Sequence, residues 1–97
     1  MKVKQVKEVT ITSEEGATII LNRDAKAGDT VAKELVFMVS DSATVENDYG
    51  TQMVINASTL QVEEYTEGWA IIPCEGLDVL YFSTSAEEAT LFYQILV

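Results

Sequence analysis

The chain of 97 residues contains no histidine. Imidazole is the usual proton carrier near neutral pH and the commonest zinc ligand. Its absence excludes serine–histidine triads, histidine acid–base chemistry and most zinc sites together. Cysteine occurs once, at Cys74, so no intrachain disulfide can brace a small fold. The stretch "IIPCEGL" around it offers Glu75 and no cation to stabilise a thiolate, which predicts a buried structural thiol. No apolar run approaches the roughly 18–20 residues that cross a bilayer. The opening "MKVKQVKEVTITSEEG" has lysines but neither the apolar core nor the cleavage site of a signal peptide. The expectation is synthesis in the cytoplasm without a signal peptide, and no membrane partner.

Positive charge is missing from most of the chain. All five lysines and the one arginine lie in residues 1–33, where five acids leave a balance of +1. Residues 34–97 hold eleven acids and no base, and the whole chain carries −10. Such a surface repels phosphates, which argues against nucleic acid as a partner. It suits a basic partner, or serves solubility alone.

What is present is strand pattern. A hydrophobic share of 47% is that of a folded globule, and the length allows one domain with a modest core. Residues 3–12 ("VKQVKEVTIT") alternate at Val9 and Ile11 against Thr10 and Thr12, as a half-buried strand does. "SEEG" (13–16) turns into a strand over 17–21, and "NRDAKAGDT" (22–30) is a polar loop with Gly28 free to take positive φ. "LVFMV" (35–39) is apolar without alternation, which predicts a strand buried on both faces. "SDSATVENDYG" (40–50) reads as the longest polar loop. Strands follow over 51–57, 59–65, 69–74 and 77–83, with Pro73 confined to a strand end or edge because it cannot donate to a ladder. The last segment, 90–97, fits a strand better than a helix, with 84–89 as the loop of a closing hairpin. Ser85 and Glu88 leave a helix-capping alternative open. About eight short antiparallel strands with frequent turns predict an all-β fold: a small β-sandwich, jelly-roll-like, or a barrel. Residues 1–97 form one domain, with 1–8 as a lysine-bearing arm.

The stretch "AKAGDTVAKELVFMV" (25–39) resembles the glycine–aspartate hairpin of biotinyl and lipoyl domains, through Gly28, Asp29 and Val31. Glu34 stands near the place of the second glycine, and the cofactor-bearing lysine between methionines is missing. Similar hairpins occur in small capsid-decorating proteins of tailed phages. The resemblance implies a strand, a tight turn and a second strand, and no cofactor.

Candidate chemistry is thin. Glu14-Glu15, Glu63-Glu64 and Glu87-Glu88 are adjacent pairs, whereas glycosidases need two acids facing each other across a cleft. No catalytic residue, cofactor or metal site is therefore predicted. Asp41, Glu46, Asn47 and Asp48, with Asp24 and Asp29, offer oxygens of the kind calcium takes, but not at EF-hand spacing. Trp69, Tyr65 and Tyr49 could stack on sugars, so a carbohydrate-binding β-sandwich module is the alternative function.

The lead expectation comes from the ending, "TLFYQILV". As a strand it places Leu91, Tyr93, Ile95 and Val97 on one face and Phe92 and Leu96 on the other. A sandwich layer buries one face, so so many two-sided apolar strands call for a second chain as cover. Lys2, Lys4 and Lys7 join these residues as the candidate interface, because a basic arm complements an acidic body. The predicted protein is a non-enzymatic structural or assembly component, a homo-oligomer (dimer or trimer). It binds a larger particle, as virion accessory proteins such as bacteriophage capsid decoration and tail components do.

Overall fold

The computed structural model describes residues 6–29, 31–55 and 70–97, with the backbone alone at 53–55. Among them lie eight strands and no helix: β1 (Lys7–Thr12), β2 (Ala17–Ile20), β3 (Glu34–Val39), β4 (Ala43–Asn47), β5 (Gln52–Ile55), β6 (Ala70–Pro73), β7 (Val79–Ser83) and β8 (Glu88–Leu96). All pair antiparallel, in two four-stranded sheets of order β1-β8-β3-β6 and β2-β7-β4-β5. Only β4 and β5 are consecutive strands within one sheet; elsewhere the chain crosses from sheet to sheet. That order is the connectivity of a jelly roll. The expected all-β sandwich of short strands is met.

Alternation along each strand fills the space between the sheets. Ile11 of β1, Leu35, Phe37 and Val39 of β3, and Leu91 of β8 meet Ile19 of β2, Val45 of β4, and Leu80 and Phe82 of β7. The period-two pleat sends each intervening residue outward. β3 is the exception in outcome: Val36 and Met38 point away from this core, yet are 1% and 0% exposed. The prediction that "LVFMV" is buried on both faces holds. Pro73 ends β6, which among the described residues pairs with β3 alone, a place its missing donor suits.

The turn between β1 and β2 is tightly built. Gly16 takes φ +66 and its N–H donates to the Thr12 carbonyl at 2.8 Å, while Glu15 N–H donates to Thr12 Oγ1 at 3.1 Å. In the long loop after β2, Asn22 acts as a fastener. Its Oδ1 accepts from Ala32 N–H at 2.8 Å, and its Nδ2 donates to the carbonyls of Leu77 at 3.0 Å and Cys74 at 3.1 Å.

Several expectations need correction. Residues 40–50 are not one loop: β4 occupies 43–47, with Ala43 and Val45 in the core and Thr44 and Glu46 turned outward. The final strand is real, but it forms no hairpin with its predecessor. β7 pairs with β2 and β4, and β8 with β1 and β3, in opposite sheets. The glycine–aspartate segment is no hairpin either. Lys26 and Asp29 close a turn with Gly28 at φ +91, and the flanking β2 and β3 lie in different sheets. The strand expected over 59–65, the ends 56–57 and Trp69, and residues 3–5 of the first strand lie outside the described residues.

The premise that one chain could not cover its own apolar ending is also too strong. β8 is an inner strand, paired on both edges by β1 and β3, and Leu91 is wholly buried in the core. Tyr93 and Ile95 pack against that core from the same face. Only Val97, at 70% exposure, resembles an uncovered end.

Candidate functional site

The two outer faces of the sandwich differ in chemistry. On the β1-β8-β3-β6 sheet, strand register lays the outward residues in rows. Glu8, Phe92 and Met38 share one row; Gln94, Val36 and Ile71 share the next; Leu96, Glu34 and Pro73 the third. Six of these nine are apolar, in a position where a two-layer sandwich ordinarily shows water polar residues. Val36 and Met38 are covered, Phe92, Gln94 and Leu96 half-buried, and Ile71 is 56% exposed.

Of the predicted interface residues, the structure brings Phe92 and Leu96 together on this face. Leu91, Tyr93 and Ile95 belong to the interior side, and Val97 follows the strand at its exposed end. Lys7 opens β1 on the sheet edge, exposed and opposite Tyr93. Lys2 and Lys4 lie outside the described residues. Sequence reasoning missed Ile71, because "WAIIP" says nothing about which isoleucine points outward until β6 is paired with β3.

The β2-β7-β4-β5 face carries a polar row beside an apolar pair, Ile20 (43% exposed) and Val79. Thr18, Tyr81, Glu46 and Gln52 stand in one register row across its four strands. Over Tyr81, Glu46 and Gln52 runs a groove of about 270 Å³, lined also by Glu14 and Glu15 of the β1–β2 turn. A hydroxyl-lined notch of about 320 Å³ adjoins it, sharing Thr44 and Ser83 and continuing to Ser42 and Ser85. Tyr81 is 48% exposed, and among the described residues no lysine or arginine lines either depression. None of these residues except Glu46 and Glu14-Glu15 stood out in the sequence.

The remaining candidates serve the fold. Cys74 is buried, its Sγ 3.2 Å from the Ile72 carbonyl, and desolvation pushes its thiol up to about 11, with a smaller push from Glu34 against the opposing backbone hydrogen bond at Leu35. A thiol held protonated is no nucleophile at neutral pH. The proposed calcium oxygens fasten turns. Asp41 accepts from Ser42 N–H, Asn47 from Tyr49 and Thr51 N–H, Asp48 from Asp78 N–H, and Asp29 from Lys26 N–H. Asp24 is paired with Arg23 at 3.4 Å. Among the described residues no three acidic or cysteine side chains converge as a metal site. Tyr49 is 73% exposed and its hydroxyl donates to the Gly76 carbonyl; Tyr65 and Trp69 lie outside the described residues. The chain matches no family model, and neither a curated protein nor a solved structure resembles it significantly.

Proposed function

We propose that this protein is a non-enzymatic assembly module that oligomerises and fastens to a larger protein particle through the outer face of its β1-β8-β3-β6 sheet. One observation carries the reading: on that face Ile71 is 56% exposed and Phe92 and Leu96 are only half-buried, beside the already covered Val36 and Met38, while a polar row of Thr18, Tyr81, Glu46 and Gln52 crosses the opposite outer face. Apolar surface in such a position is stabilised by a further layer, and burial returns about 25 cal/mol for each Å² removed from water. The acidic body then orients the module against a basic partner surface and disfavours wrong ones.

A virion accessory role, of the capsid-decoration or tail type, is the specific form proposed. It leans on analogy, since jelly rolls serve capsids and also lectins and cupins, and a fold alone names no function. The chemistry on hand is compatible with a scaffold: Cys74 is protonated, and the carboxylates of the turns are already engaged by backbone donors. The test is the mass of the protein in solution, followed by co-sedimentation with the particle encoded beside it. Dimers or trimers that bind that particle support the reading. A monomer with no affinity for any neighbouring structural protein removes it.

A further inference from the structure

A separate feature lies on the β2-β7-β4-β5 face: the polar row and the groove over it. Tyr81 sits on an inner strand with Thr18 on one side and Glu46 on the other, and Glu46 faces Gln52 on the sheet edge. Adjacent strands are about 4.8 Å apart, so this row is roughly 14 Å long. The adjoining notch extends it with the hydroxyls of Thr44 and Ser83.

The chemistry of the lining narrows the ligand. The carboxylates of Glu14, Glu15 and Glu46 offer acceptor oxygens, Gln52 both donates and accepts, and the hydroxyls do either. Among the described residues no three acidic side chains converge to hold a metal ion. With no cation in the lining, phosphates, sulfates and sialylated ligands are repelled. A half-exposed aromatic ring offers a flat apolar platform amid these polar groups. We infer that this trough binds a saccharide free of anionic groups. A sugar ring stacks its C–H face on Tyr81 while its hydroxyls donate to Glu46 and exchange hydrogen bonds with Gln52. The site is distinct from Tyr49, whose hydroxyl is turned to Gly76, and it stands whether or not the opposite face assembles.

The experiment is a titration of the ¹⁵N-labelled protein, followed by NMR, with neutral oligosaccharides of glucose, galactose, mannose and N-acetylglucosamine. A sialylated oligosaccharide and an oligolysine peptide serve as contrasts. Neutral sugars are expected to move the amides of Glu46, Gln52 and Tyr81. Tyr81→Ala is expected to weaken binding about tenfold, with Tyr81→Phe close to wild type. Glu46→Gln and Gln52→Ala, both at the surface, provide second readouts should Tyr81→Ala not fold. The inference is overturned if no neutral sugar moves these amides at tens of millimolar, or if the shifts lie elsewhere. It is equally overturned if Tyr81→Ala binds as wild type, or if oligolysine or the sialylated sugar proves the ligand.

Discussion

Phe37 and Phe82 meet edge to face between the two sheets, ring centroids 5.5 Å apart and planes at 75°. One belongs to β3 and the other to β7, so this contact joins the layers at their inner strands. Such a pair adds about 0.5–1.5 kcal/mol beyond the area it buries. Phe37→Ala is expected to cost about 3–5 kcal/mol in urea unfolding, a large part of a small domain's stability. Phe37→Leu keeps most of the volume and should cost well under half of that.

Gly16 and Gly28 both have positive φ but differ in what surrounds them. A Cβ on Gly16 would collide with the Phe82 carbonyl oxygen, whereas one on Gly28 would meet open space. Left-handed backbone costs a residue with a Cβ about 1–2 kcal/mol in either place. Gly28→Ala should show that cost alone. Gly16→Ala should exceed it by at least another 1 kcal/mol or so, since the β1–β2 turn must shift to relieve the clash. Thermal melts of the two variants make the comparison.

Asn22 ties the loop after β2 to the backbone at Ala32, Cys74 and Leu77. Removing its side chain leaves those half-buried backbone groups without their partner. Asn22→Ala should therefore destabilise by about 2–3 kcal/mol. Asn22→Asp keeps the shape but turns a donor into an acceptor against the carbonyls of Ala32, Cys74 and Leu77, and should be no better tolerated. Denaturant midpoints at unchanged m-value would record both.

The Cys74 thiol has a definite pH signature. Burial raises it from an ordinary 9.0 to about 11, so the folded state holds this proton more tightly than the unfolded one. The associated stability is complete below pH 9, falls as pH rises from 9 to 11, and is gone above. Its size is about 3 kcal/mol, and Cys74→Ala should abolish the difference between pH 8 and pH 11 that is specific to this group. A thiol reagent should label the native protein only as fast as it opens.

Local pattern made much of the fold legible. The alternation of Val9 and Ile11, the unbroken "LVFMV" and the terminal apolar run each announced a strand, because period-two burial leaves its mark within a few residues. β4 stayed hidden since only Ala43 and Val45 of its residues are buried hydrophobics, set among Ser, Asp and Asn letters that favour turns. Pairing was illegible for a different reason. In a jelly roll, partners such as Val9 and Leu91 are far apart in sequence, and nothing near either one records the other. The same distance hid both surface sites. Tyr81, Glu46 and Gln52 become neighbours, and Ile71 joins Phe92's face, only after the sheets are assembled.

The measurement closest to the central claim compares two single charges placed on opposite outer faces, Ile71→Glu and Tyr81→Glu, by light scattering at high micromolar concentration. Assembly through the β1-β8-β3-β6 face predicts a wild-type mass of two or three times 10.7 kDa, retained by Tyr81→Glu and lost to the monomer in Ile71→Glu. A wild-type protein that stays at 10.7 kDa, or an oligomer indifferent to Ile71→Glu, would contradict it.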